Sequence, residues 1–337
     1  AADCTGRTED DGAARQAVQV VRVANAQPFD GGQGMVVHHD FPHFPTLVTK
    51  TQTIAQISHI FPRRPYNRRG DGKIAQKQGL AAMLLAIDVG NTTIVFGVHD
   101  GKRWTHHWRV QTVRERLPDE YAVMFRTFLN EAGLELEQFQ QTVLSSVVPP
   151  LTAGLCEMVA RRTGFPPVVV SARINTGIRI NTDHPESVGS DRIADAVAAY
   201  ERFRSNCIVV DFGTATSFTI VREPGEMIGA VIAAGLGTTA DALVRRTAQL
   251  PQIELAPPPS IIARNTVHAM QAGLVVGHVA MVEGLVARIR AELGQAYTIA
   301  TGGYATVLAP LATCFDAVDP WLTLDGLRLI AERNPRS

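Results

Sequence analysis

One pattern occurs twice in this chain and narrows what the chain can fold into. The stretch from Leu85 to Val98, LAIDVGNTTIVFGV, lines up without a gap with the stretch from Ile208 to Val221, IVVDFGTATSFTIV. Each copy reads as an apolar strand, then Asp-x-Gly-x-x-Thr, then a second strand, and each reaches a turn, Asp100-Gly101 in one and Pro224-Gly225 in the other. Strand, acid, glycine, threonine and turn in one register point to duplicated α/β domains. A chain of 337 residues is also too long for one typical compact core and suits two. The repeats place the halves at 83–193 and 204–337.

Local pattern fills in the elements around the repeat. Leu84 to Ile87 and Thr93 to Val98 are predicted strands, and Asp100-Gly101 leads into a third. A helix is predicted from Pro118 to Ala132, with Tyr121, Met124, Phe125 and Phe128 on one face. Thr142 to Val147 reads as a buried strand that Pro149-Pro150 stops. Further helices are predicted around Thr238 to Thr247, Asn265 to Leu293 and Leu324 to Glu332, with a strand at Tyr297 to Ala300.

Residues 1–82 differ from the rest, being rich in Arg, Gln, His, Pro and Gly without sustained periodicity, and they are expected to be mostly disordered. Met83, at the onset of the first strand, would make a natural protein start. His38, His39 and His43, and the arginines Arg63, Arg64, Arg68 and Arg69, read as solvated groups rather than as a metal or nucleic-acid site.

Charge and cysteine usage exclude several classes. Lys plus Arg and Asp plus Glu balance at 32 each, so no global field draws the chain to nucleic acid or to an anionic membrane. The four cysteines are far apart and form no Cys-x-x-Cys pair, which suits a reducing compartment. The sequence is read as holding no apolar run of about 18 residues, and the N-terminus lacks the apolar stretch of a signal peptide. A soluble, cytoplasmic protein is expected.

The two loops are suited to phosphate and cation chemistry. Glycine lets backbone N–H groups approach a phosphate closely, threonine adds a hydroxyl, and the aspartate can hold the accompanying cation. Two such loops, one per domain, imply a nucleotide clamped between the halves. Further on, the Asp191-Arg192 pair opening a helix reads on its own as a charge-dipole arrangement with a surface ion pair.

The paired loops resemble those of the actin, Hsp70 and sugar kinase superfamily, whose domains are ribonuclease H-like with the nucleotide cleft between them. Asp88-Val-Gly-Asn-Thr92, Ser145-Ser-Val-Val-Pro149, Val188-Gly-Ser-Asp-Arg192, Asp211-Phe-Gly-Thr-Ala-Thr216, Asn265-Thr266 and Thr301-Gly-Gly303 follow the order and rough spacing of the type III pantothenate kinases. The resemblance covers Met83 to about Asn334 and implies a residue-by-residue assignment. Asp88, Val89, Gly90, Asn91, Thr92, Thr93, Ile94 and Val95 would line the phosphates of ATP, with Asp88 reaching Mg²⁺, in part through water. Gly189, Ser190, Asp191 and Arg192 would bind pantothenate, with Asp191 as catalytic base, and Thr182 stands in the substrate pocket. Asp211 resembles the ligand of a monovalent cation, K⁺ or NH₄⁺, Thr214 an ATP contact, and Thr266 a pantothenate contact reached from the partner subunit of a homodimer. Thr301, Gly302 and Gly303 resemble the turn beside the adenosine.

The chain departs from the family at Thr182, where Tyr is usual, at Thr219, where Asp is common, and at Ala230 and Ala234, where a glycine and a proline often stand. Two other readings stay open at this level: another actin-fold kinase acting on a sugar or acetate, and a nucleotide-binding regulatory factor without turnover.

Overall fold

The computed structural model describes residues 83–336, so the expectations for residues 1–82 lie outside the described residues. Two mixed sheets organise this region. The first contains β1 (Met83–Val89), β2 (Thr93–His99), β3 (Trp104–Gln111), β4 (Phe139–Ser146) and β5 (Val168–Val169), in the order β3-β2-β1-β4-β5. The second contains β6 (Arg179–Ile180), β7 (Cys207–Phe212), β8 (Ala215–Arg222), β9 (Glu226–Ala234), β10 (Tyr297–Thr301) and β11 (Ala317–Val318), in the order β11-β10-β7-β8-β9-β6.

The repeat sets the same local topology in both sheets. β1 lies between antiparallel β2 and parallel β4, and β7 lies between antiparallel β8 and parallel β10. Both central strands are apolar almost throughout, as strands covered on both faces must be. Each carries its one acid, Asp88 or Asp211, at the next-to-last position. That carboxyl end, where a parallel and an antiparallel neighbour diverge, is where open sheets of this kind leave a crevice.

The ungapped alignment of the repeats needs one correction beyond the turn. Asp88 pairs with Val95 in the first hairpin, whereas Asp211 pairs with Ser217 in the second. The first loop closes with Gly90 N–H donating to Thr93 O at 3.0 Å, the second with Gly213 N–H donating to Ala215 O at 3.0 Å, one residue sooner. After the turn, Phe96 therefore corresponds to Phe218, and both rings are buried.

Helices cover the sheets. α1 (Pro118–Glu131) starts with proline in its first turn, and Glu120 Oε2 accepts the Leu117 N–H at 2.8 Å. Its Tyr121, Phe125 and Leu129, spaced at i, i+4 and i+8, are buried against Phe96, Ile94 and Val98, and the Phe125 and Phe96 rings stack at 4.8 Å. Burial of side chains of this size contributes about 1.5–3 kcal/mol each. α2 (Pro149–Thr163) follows β4 directly, so Pro149-Pro150 both ends a strand and opens a helix.

The division into halves is less simple than two consecutive segments. α3 (Ser190–Phe203) joins the sheets, and α8 (Leu322–Arg333) returns from the chain end to pack beside it. Leu324, Leu327 and Ile330 of α8 and Ile193, Ala194 and Val197 of α3 bury Leu84, Ala86 and Val143 of the first sheet. β6, although it precedes 193, belongs to the second sheet. The second half is completed by α4 (Leu236–Arg246), α5 (Thr266–Gln271), a π-helical turn at Ala272–Val276, α6 (Gly277–Leu293) and the short α7 (Ala305–Leu308). Contrary to the expectation that the chain holds no such run, the continuous helix Thr266–Leu293 is long and apolar enough by length and composition to cross a membrane. Here Val275, Val279, Val282 and Val286 pack it into the core of the second half.

Candidate active site

Four carboxylates from three elements act on one another across the cleft. Asp88 ends β1, Asp211 ends β7, and Asp191 and Asp195 lie one turn apart on α3. Burial, reinforced by the charge of Asp191, pushes the Asp88 carboxyl up to about 7, against the opposing effect of a hydrogen bond from Ser145; Asp211 adds to the rise. Asp211 is pushed up to about 7 for the same reasons, burial first and Asp191 next. Asp195 is raised by burial, then by Asp211, while its hydrogen bond with Thr323 opposes the rise. Such shifts mark carboxylates lacking counter-charge and recur at functional sites.

The hydrogen-bond inventory agrees. Asp88 Oδ1 and Asp195 Oδ2 are buried with no partner, whereas Asp195 Oδ1 accepts from Thr323 Oγ1 at 2.8 Å. Orphaned, electron-rich oxygens of this kind suit a cation. Among the described residues no three acidic, His or Cys side chains converge into an all-protein metal cage. The unpartnered Asp88 Oδ1 near the end of β1 fits a Mg²⁺ ligand.

The loops that follow Asp88 and Asp211 meet across the cleft. Thr92 Oγ1 and Thr214 Oγ1 are 2.7 Å apart. The second loop is held from behind, because Thr214 O accepts from Gly235 N at 3.1 Å and from Thr238 Oγ1 at 2.6 Å. At its base, buried Thr216 shares a 2.8 Å hydrogen bond with His278 Nε2. In the first loop, Asn91 and Thr92 are exposed and Gly90 and Thr93 half-buried, while the side chains of Val89 and Ile94 lie in the core and Val95 packs beneath the sheet. Gly90, Asn91 and Thr92 thus form the part of that run open to the cleft.

The start of α3 is fixed by hydrogen bonds that also reach Asp88. Ser190 is buried, its Oγ standing 2.9 Å from Ser145 Oγ and accepting the Ser146 N–H at 2.8 Å. Its hydroxyl is thus committed inside the protein, anchoring the helix end that presents Asp191. Asp191 Oδ1 accepts the Arg192 N–H at 2.7 Å. Gly189 passes so close to Asp191 Oδ1 that a Cβ there would collide with it. Gly302 makes a similar approach in the second half: with φ of +90°, it lies against Asp211, and a Cβ would stand 2.7 Å from Phe212 N.

Two expected substrate contacts lie apart from these loops. Thr182 follows edge strand β6, and its buried Oγ1 lacks a partner. Thr266 is exposed at the first turn of α5, which Asn265 caps by accepting the His268 N–H at 2.9 Å. The residue that sequence reasoning missed is Asp195. Its signal was available, since an acid four residues after Asp191 in an alanine-rich helix must share the Asp191 face.

Duplicated mixed sheets, each carrying an aspartate near the end of its central strand beside a Gly/Thr loop, define an actin-like α/β fold. A sequence profile of the type III pantothenate kinase family matches residues 84–288. The chain is 47% identical over 253 residues to the type III pantothenate kinase of Moorella thermoacetica, a match spanning 75% of this chain and 100% of the relative. It is 47% identical over 253 residues to that of Geobacter sulfurreducens, spanning 75% and 99%. With the Myxococcus xanthus enzyme of the same name, identity is 46% over 256 residues, spanning 76% and 100%. This chain belongs to the type III pantothenate kinase family.

Proposed function

We propose that this chain transfers the γ-phosphoryl group of ATP to the primary hydroxyl of pantothenate, the first step of coenzyme A synthesis, in the cytoplasm. The observation that carries the reading is the convergence of Asp88, Asp191 and Asp211 on one cleft beneath two facing Gly/Thr loops. Gly90 to Thr92 and Thr214 would bind the phosphates, and Asp191 would accept the hydroxyl proton as attack proceeds. Arg192 pairs with the substrate carboxylate, and the unpartnered Thr182 hydroxyl offers one more contact to the same molecule.

Asp88 would hold Mg²⁺ and Asp211 K⁺ or NH₄⁺. Bound there, the cations supply the counter-charge that lets phosphates approach four carboxylates. The protein's own part is to keep Asp191 in place through the Ser190, Ser145 and Ser146 hydrogen bonds.

A homodimer belongs to this reading. Beside Thr266 runs an exposed apolar groove of about 500 Å³, lined by Ile261, Ala263, Ala269, Gly273, Val276 and Ala280. A second copy seated there brings its own Thr266 towards this subunit's substrate.

The test is an assay of purified protein with ATP, Mg²⁺, K⁺ and pantothenate, in which 4′-phosphopantothenate is detected by mass. A folded protein that binds ATP and yields no product overturns the proposal.

A further inference from the structure

The first loop is bordered by a segment whose construction the roles above leave unexplained. Directly after β3, Thr112 is stitched to the loop backbone: its N–H donates to Thr92 O at 2.9 Å and its hydroxyl to Gly90 O at 2.7 Å. Val113 is pinned next. Its N–H donates to Tyr121 Oη at 2.9 Å, and the Tyr121 hydroxyl donates to Val113 O at 3.0 Å. Tyr121 has 0% exposure, so this anchor is part of the core of the first half. The residue presented by the anchor is Arg114, which is exposed and donates from Nη2 to Asn91 Oδ1 at 3.2 Å.

Charge makes this placement meaningful. Arg114 forms no ion pair among the described residues, whereas nearby Arg116 lies beside Glu120 and over the Tyr121 ring. Lys102 is the one lysine among the described residues, and it sits in the turn between β2 and β3. That turn is separated from the Asp88 loop by the length of β2, about 20 Å of strand. The loop that faces the carboxylates thus has a permanent cation, Arg114, hydrogen-bonded to its Asn91. An arginine held through the anchored backbone of Thr112 and Val113, with no ion pair at its guanidinium, can exchange the Asn91 amide oxygen for a phosphoryl oxygen at little cost in ordering.

We infer that Arg114 is a phosphate-binding residue that clamps the terminal phosphate of ATP against the first loop during transfer. The inference rests on reading that loop as the ATP-phosphate loop. Arg114 neither accepts a proton nor forms a bond. It neutralises charge on the transferring phosphoryl group, which Asp191 and the other acids cannot do.

The experiment compares Arg114→Ala, Arg114→Lys and the parent for kcat, for KM of each substrate, and for ATP and ADP affinity by calorimetry. Arg114→Ala is expected to lower kcat/KM for ATP by about 10- to 100-fold and to weaken ATP binding about tenfold, the scale of one charge-assisted contact. ADP affinity and the KM for pantothenate stay within about twofold, and Arg114→Lys recovers part of the loss, because charge returns without the planar fork. Parent-like kinetics and ATP binding in Arg114→Ala would overturn the inference, as would equal weakening of ATP and ADP. Gly90→Ala and Thr92→Val separate the two levels: if they too leave ATP binding intact, it is the loop reading that fails.

Discussion

The side-chain oxygens of Thr92 and Thr214 stand 2.7 Å apart, one from each half of the duplicated fold. In this arrangement the hydroxyls satisfy one another, and in the proposed reading a triphosphate entering between the loops would take both. Thr92→Val and Thr214→Val are therefore expected to raise the KM for ATP by several-fold each, about the worth of one hydrogen bond. The double variant should lose less than the product of the single effects, since the pair acts on one ligand. Steady-state kinetics of the four proteins checks this, and strictly multiplicative losses would show that the threonines act on separate groups.

Asp191→Asn keeps the shape of the side chain and removes the proposed proton acceptor. Turnover is expected to fall by roughly a hundredfold or more, the usual scale for a general base, with ATP affinity retained. Near-normal kcat in the variant would transfer the role to another group.

The raised Asp88 carboxyl ties stability to pH with a definite sign. The folded protein, without ligands, holds this proton up to about 7, whereas the ordinary value is 3.8. Between those values the folded state binds more protons than the unfolded state, so raising the pH through this window lowers stability. Asp88→Asn removes the titration. It is expected to be inactive yet more stable than the parent at pH 8, with an advantage that shrinks towards pH 5. Thermal unfolding across that range tests it, and a difference independent of pH would show that Asp88 is ionised throughout. Mg²⁺ at pH 8 should stabilise the parent more than the variant.

Asp211 is paired with a different ion in this scheme. A large, weakly hydrated cation accepts a loose cage of carboxylate, hydroxyl and carbonyl oxygens, whereas Mg²⁺ demands tight octahedral geometry. Activity is expected to require K⁺ or NH₄⁺ beyond Mg²⁺, with Na⁺ a poor substitute, and Asp211→Ala should abolish the response. Initial rates against KCl, at constant ionic strength with a bulky organic cation, decide the matter. Equal rates with and without K⁺ in the parent would refute it.

The central strands and the helices α1, α4, α6 and α8 were legible because burial writes itself as apolar runs in strands and apolar stripes in helices. Leu84 to Ile87 and Ile208 to Val210 could be little else. α2 escaped because Pro149-Pro150 reads as a stop, while proline in a first turn is also a helix start. The register of the second hairpin escaped because closing a turn on three residues rather than four depends on backbone geometry, and Phe96 and Phe218 align only once that is known. At the site, the loop residues announced themselves by chemistry. Asp195 was legible only as an acid on the Asp191 face of a helix; its burial beside Asp211 and its bond to Thr323 arise only when α3 lies against β7 and α8.

The return of α8 has a consequence for synthesis. One face of the first sheet, around Leu84, Ala86 and Val143, is covered by Leu324, Leu327 and Ile330 from the far end of the chain. A ribosome making this protein releases the first half long before the residues that seal it. That half therefore waits with an apolar face open until the final helix emerges, at about 5–20 residues per second. Chaperone demand, and the sensitivity of the enzyme to losses at its C-terminus, should follow from that delay rather than from the site itself.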